Sequence, residues 1–217
     1  MTGEVRVCGL GLRMPQETTL EALQALRECD SLFVSVADAR SRRWLERWCG
    51  RARRPKDAAQ VVAAASGGRT VGLAVWGHPE YTSVLAREVG AVALAAGASL
   101  RVYAGVSPVS SVFARSVTFL GGDFGHRGAR SCDLESALAS PESISPRLPA
   151  LIFAESAKPA RWADLKRALS ARYPASHPVR AYPAGTDEER ATTLAALDVR
   201  RLAGAVLLVP PLAGSAA

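Results

Sequence analysis

At 217 residues with 48% hydrophobic side chains, the chain is long enough to bury a sizeable core in one large domain or two small ones, which excludes a disordered polypeptide. No apolar run reaches the length of a membrane span, and Met1-Thr2-Gly3-Glu4-Val5-Arg6 enters a strand-like run without a signal-peptide pattern, so a cytoplasmic protein with no membrane partner is expected. The formal charge of +7 is carried almost wholly by arginine, with Arg40, Arg42, Arg43, Arg47, Arg51, Arg53 and Arg54 crowded together. This cluster reads either as a solvated helix face or as guanidinium groups aimed at an acidic ligand or peptide. Few aromatics interleave it and no nucleic-acid motif accompanies it, so a nucleic-acid partner is not expected. Cys8, Cys29, Cys49 and Cys132 are dispersed, with no C-x-x-C pair and no regular histidine spacing, so neither a metal site nor a disulfide framework is expected.

The chain opens with a strand-like run from Glu4 that ends in Gly9-Leu10-Gly11, two glycines that let the backbone turn sharply. Met14 breaks a dinucleotide fingerprint. Thr18 or Thr19 can cap a helix carrying Leu20, Leu23 and Leu26 that closes before Asp30, and Ser31 to Val36 reads as a second strand, parallel to the first. Asp38 to Arg47 is a polar helix with Trp44, Leu45 and Trp48 at helical spacing, both tryptophans being expected as core anchors. An alanine-rich helix from Ala58 to Ala65 stops at Gly67-Gly68.

Thr70 to Trp76 is an apolar run that leads into Gly77-His78-Pro79, which puts a turn at the carboxyl end of a buried strand. The turn reads either as ordinary punctuation or as the loop where an open α/β sheet places its ligand. A helix from Ser83 to Ala96, a strand from Ser99 to Tyr103 and a further strand-end turn, Gly105-Val106-Ser107-Pro108, follow; Ser107 can cap a helix bearing Val109, Val112 and Phe113. Beyond a glycine-rich connection over 120–130, the chain reads as a short helix Asp133 to Ala139, a strand Ala150 to Ala154, a helix Arg161 to Tyr173, a strand Pro178 to Tyr182, a helix Asp187 to Leu197 and a strand Ala205 to Val209.

The ordered turns Gly9-Leu10-Gly11, Gly77-His78-Pro79 and Ala104-Gly105-Val106-Ser107 resemble the tetrapyrrole methylase superfamily, in which most members carry Gly-Asp-Pro and Pro-Gly-Val-Ser at the later two. That resemblance implies a two-domain α/β fold, here 1–106 and 107–217, with S-adenosylmethionine bound in a cleft between domains. Gly-His-Pro resembles more closely the borosin α-N-methyltransferases, which methylate peptide backbone nitrogens. Val34-Ser35-Val36-Ala37-Asp38, Arg43-Trp44-Leu45, Gly125 to Glu135, Tyr173 to Tyr182 and Leu207 to Pro211 are similar to the same branch.

The resemblance implies that Gly9, Gly11, Trp76, Gly77, His78, Pro79, Tyr81 and Thr82 bind the cofactor, together with Ser107, Pro108 and Tyr182. It further implies a homodimer and, since the sequence ends at Ala217 soon after the Pro-Pro strand end, a peptide substrate supplied in trans. Arg54 matches the arginine that serves amide activation in borosins. Ala58 stands where a tyrosine is expected, and Ala154 replaces a glutamine. These departures leave two alternatives: a precorrin-type tetrapyrrole C-methyltransferase, or a catalytically silent homologue that binds cofactor or a partner.

Overall fold

A computed structural model describes residues 3–36, 39–115, 128–153, 158–202 and 204–212. The chain divides into two compact units, Met1–Ser111 and Val112–Ala217.

The first unit is built on five parallel strands: β1 (Glu4–Gly9), β2 (Ser31–Ser35), β3 (Ala52–Arg53), β4 (Thr70–Val75) and β5 (Ser99–Tyr103), in the order β3-β2-β4-β1-β5. β4 is the central strand. Its continuous apolar sequence is buried from Val71 onwards, as expected of a parallel strand covered on both faces. Glu4 sits opposite Thr70 on one side and Ser99 on the other, and Ser31 opposite Val71. The carboxyl ends of the strands therefore share one edge of the sheet.

Helices α1 (Leu20–Arg27), α2 (Ala39–Cys49), α3 (Ala58–Ala63), α4 (Pro79–Thr82) and α5 (Val84–Ala95) connect the strands, and α6 (Pro108–Arg115) follows β5. The chain leaves β1 toward β2 on one side but leaves β4 toward β5 on the other, although β1 and β4 are neighbours. Right-handed crossovers then put the connecting helices on opposite faces. In keeping with this, α1 packs with α2, whereas α3 packs with α5 over Val5, Val7, Val71, Leu73 and Val75. The boundary between β1 and β4 is thus a topological switch point.

The Thr19 cap expected from sequence forms, accepting from Ala22 N to start α1; Ser83, expected as the first residue of the next helix, is its cap and accepts from Ala86 N to start α5. β1 and β2 are parallel as expected, with β4 inserted between them. The tryptophans depart from expectation. Leu45 and Ser41 form the buried face of α2, Trp44 is half-buried, and Trp48 is 51% exposed. Leu45 takes the inward position of that turn, so the tryptophan three residues on is carried to the flank.

The second unit holds β6 (Arg130–Asp133), β7 (Ala150–Phe153), β8 (Pro178–Pro183), β9 (Arg190–Thr193) and β10 (Ala205–Val209), ordered β6-β7-β10-β8-β9. β6 and β7 are parallel and the remaining pairings antiparallel. α7 (Leu134–Ala139) is capped by Asp133, and α8 (Pro159–Ser170) buries Trp162, Leu165 and Leu169 against Ile152 and Leu207.

One expected helix is overturned: residues 187–197 contain β9 rather than a helix, with Arg190 to Thr193 paired to β8 across a hairpin. The alanines suggested helix, but β8 offers an open edge, and the adjacent β-branched Thr192 and Thr193 suit a pleated strand. Ser131 and Cys132 lie in β6, immediately ahead of α7. Ala37, Asp38, residues 125–127 and Ala154, all named in the sequence comparison above, lie outside the described residues.

Candidate functional site

The three glycine turns meet at the carboxyl edge of the first sheet, over the switch point. Leu10 N donates to Val75 O (3.0 Å), Gly77 N to Gly11 O (3.0 Å) and Gly11 N to Gly77 O (3.3 Å), so the loops after β1 and β4 are tied by an antiparallel bridge. Gly11 and Gly77 have φ of 74° and 61°, in the left-handed region that favours glycine. The third turn packs against both. A Cβ on Gly9 would stand 2.4 Å from Gly77 O and 2.6 Å from Gly105 N, and a Cβ on Gly105 2.4 Å from Gly77 O. Backbone thus touches backbone where any side chain would force the turns apart.

His78 sits at the mouth of the middle turn as the cap of α4. Its Nδ1 accepts from Glu80 N at 3.3 Å, and Pro79 occupies a first-turn position where a missing N–H costs nothing. Trp76 is buried beneath the turn, Tyr81 is 39% exposed beyond it, and Thr82 ends α4. In the third turn, Ser107 Oγ accepts from Ser110 N (3.1 Å) and lies 3.0 Å from Ser110 Oγ, with Pro108 beginning α6. The Ser107 hydroxyl is therefore engaged in capping α6.

The loop between β1 and α1 is pinned by three consecutive residues that sequence reasoning did not single out as site residues. Glu17, 5% exposed, accepts through Oε2 from Leu12 N (2.8 Å) and Arg13 N (3.1 Å), and through Oε1 from Arg13 Nε (2.7 Å) and Ser111 Oγ (2.6 Å). Thr18 Oγ1 donates to Leu10 O (3.0 Å), and Thr19 Oγ1 to Ala104 O (3.0 Å). The first turn is thereby clamped to the third turn and to α6. No local signal marks Glu17 for this role, because its partner Ser111 lies 94 residues away in sequence.

Arg54 follows β3 directly, on the same edge of the sheet and exposed. Two strand spacings separate β3 from β4, about 10 Å, so the fold places Arg54 beside the turn cluster rather than inside it. Arg53, next to it, lies over the Phe33 ring at 4.9 Å. Ala58, where the resemblance expects a tyrosine, is buried at the start of α3 in the apolar core. Tyr182 belongs to the second unit, fully buried on β8, with the Arg115 guanidinium 5.0 Å from its ring centre. Burial pushes the Cys29 and Cys49 thiols up to about 11 and raises Cys8 and Cys132 as well, so none is a ready thiolate at neutral pH.

The family model for Tetrapyrrole (Corrin/Porphyrin) Methylases matches residues 4–198. No curated relative matches the sequence. Among solved structures, the uroporphyrin-III-C-methyltransferase of Thermus thermophilus is similar at 22% identity and a TM-score of 0.68, covering 96% of this chain and 92% of its own. The methyltransferase CobJ is similar at 14% identity and a TM-score of 0.68, covering 98% of this chain and 95% of its own. A conserved hypothetical protein of Aeropyrum pernix K1 gives 18% identity and a TM-score of 0.68, covering 97% of this chain and 85% of its own. At these identities the structural likeness establishes a shared fold, while the family match extends over most of both units. The chain belongs to the tetrapyrrole methylase family and is an S-adenosylmethionine-dependent methyltransferase.

Proposed function

We propose that this methyltransferase acts on backbone amide nitrogens of a peptide supplied in trans, and that the turns Gly9–Gly11, Gly77–Tyr81 and Gly105–Pro108 hold its cofactor. The observation that carries the reading is the Gly77-His78-Pro79 turn at the end of the central strand, where an imidazole rather than a carboxylate caps α4. A carboxylate there would place a formal negative charge at the mouth of the turn, which an imidazole capping the same N–H through Nδ1 does not carry.

The residues present fit S-adenosylmethionine. Main-chain amides and carbonyls crowd the carboxyl edge without intervening side chains, and the Tyr81 ring stands partly open beside them. Such a surface suits a ligand with a polar amino-acid end, an adenine and a sulfonium. When bound, the cofactor supplies an electrophilic methyl group on that sulfonium. The work left to the chain is to seat the acceptor in line with it and to keep water away.

An amide nitrogen is a poor nucleophile, and its methylation needs charge stabilisation of an imidate-like form. Arg54 is the residue assigned to that role, as an exposed cation on the same edge as the turns. Ala58 provides no hydroxyl to assist it, so another group, or the substrate itself, accepts the amide proton. A second reading, carbon methylation of a tetrapyrrole, is favoured by the shared fold with uroporphyrin-III-C-methyltransferase and CobJ.

Intact-mass analysis separates the two. The enzyme is incubated with S-adenosylmethionine and either short peptides encoded beside its gene or uroporphyrinogen III. A gain of methyl units on peptide, localised to backbone nitrogen by fragmentation, supports the proposal. Methylation of the tetrapyrrole with every peptide unchanged overturns it in favour of the second reading.

A further inference from the structure

On α2, Arg40, Arg43 and Arg47 recur three and four residues apart and are all exposed, opposite the buried Ser41 and Leu45. Trp44 and Trp48 run alongside this row, with ring centres 5.9 Å apart and planes tilted by 35°. Arg42, on the other flank, is paired with Glu46 at 3.3 Å. Among the described residues, Arg40, Arg43 and Arg47 have no carboxylate partner. Among the described residues, Arg43, Glu46 and Arg47 line a surface hollow. The helix starts where β2 ends, so its Arg40 end lies at the edge of the sheet that carries the turn cluster, and the row leads away from it.

We infer that the outward face of α2 is a docking surface for an acidic, aromatic-containing segment of a polypeptide, namely the recognition segment of the peptide substrate proposed above, on which reading this inference rests. Exposed guanidinium forks along one helix face match carboxylates presented by an extended or helical partner. The tryptophan ridge beside them offers an apolar anchor of the kind that concentrates binding energy at interfaces. The two indoles lean on each other instead of standing open for a base to stack between them, which argues for polypeptide over nucleic acid. A segment held on this row would deliver the residues beyond its Arg40 end to the edge where the three turns meet.

The test uses the whole protein and two fluorescein-labelled probes: a short Asp/Glu-rich peptide containing one phenylalanine, and the same peptide with that residue changed to serine. Anisotropy is measured for the wild type, for the Arg43→Glu/Arg47→Glu pair and for Trp48→Ala. Calorimetry with S-adenosylhomocysteine verifies that each variant keeps its fold and its turn cluster. The expected result is binding of the first probe that weakens about tenfold or more on charge reversal. Trp48→Ala should weaken the phenylalanine probe and leave the serine probe unaffected. Equal binding by all three proteins overturns the inference, as does tighter binding of a single-stranded RNA of the same charge. Docking that survives while no peptide is ever methylated removes the substrate reading and leaves a partner surface. A peptide methylated with the same KM by wild type and the charge-reversed pair removes the docking surface and leaves the substrate reading.

Discussion

Replacing Glu17 by alanine strips one acceptor from four donors at once, and two of these, Leu12 N–H and the Ser111 hydroxyl, belong to buried residues. A buried donor left unpaired costs about 1–3 kcal/mol, and Arg13, partly exposed, recovers much of its share from water, so the variant should lose about 3–5 kcal/mol. In a chain of this size that lowers Tm by roughly 6–20 °C and leaves a folded but weakened protein. Glu17→Gln keeps the shape and one accepting oxygen. It sets an amide NH2 against either the Leu12 and Arg13 N–H groups or the Arg13 guanidinium, and should lose about 1–2 kcal/mol. Urea denaturation read by tryptophan fluorescence gives the stability, and calorimetry with S-adenosylhomocysteine reports on the turns that Glu17 clamps. A double-mutant cycle with Ser111→Ala isolates their link and should return a coupling of about 1–3 kcal/mol. Additive losses, or a Glu17→Ala protein with wild-type stability and cofactor affinity, would show that the carboxylate does not hold the first turn to α6.

Gly9→Ala sets a methyl group against two backbone atoms that no rotamer can move, so cofactor binding should fall at least tenfold, read by calorimetry, with about 1–3 kcal/mol of strain in denaturation. Among the described residues, Gly90, in the middle of α5, has only the end of the Leu100 side chain within reach of an added Cβ, at 3.5 Å; Gly90→Ala should therefore raise stability by about 0.5–1 kcal/mol in the same assay. His177 is buried, its ring stacks near Tyr173, and its Nε2 donates to Pro210 O at 2.9 Å. Burial holds its pKa below the usual 6.5, partly offset by that hydrogen bond. The unfolded chain thus binds the proton more readily, and stability present above pH 6.5 is lost as pH falls from there through the lowered value. Urea midpoints measured down that window should decline in the wild type and decline less in His177→Gln.

Much of the first unit can be read from sequence because its signals are local. A run of apolar residues ending in Gly77-His78-Pro79 identifies a buried strand with a turn at its carboxyl end, and a threonine before Leu20 starts a helix by capping it. What escaped depends on partners distant in the chain. β9 forms because β8 presents an edge, which outweighs the helix preference of its alanines. Trp48 is displaced to the surface because Leu45 occupies the inward position, and both positions fit the same helical periodicity. Glu17 is one polar residue in a polar loop until folding brings Ser111 to it. The three turns themselves were visible as glycines and a proline, but not their contact, which follows from the order β4-β1-β5.

The central claim, that the turns after β1, β4 and β5 together form the methyl-donor site, is tested most directly by a crystal structure with S-adenosylhomocysteine. The expected result is the nucleoside lying against Gly9–Gly11, Gly77–Tyr81 and Gly105–Pro108, with the bridge between Gly11 and Gly77 retained. A ligand bound well away from those turns, or saturating ligand that leaves them untouched, would contradict it.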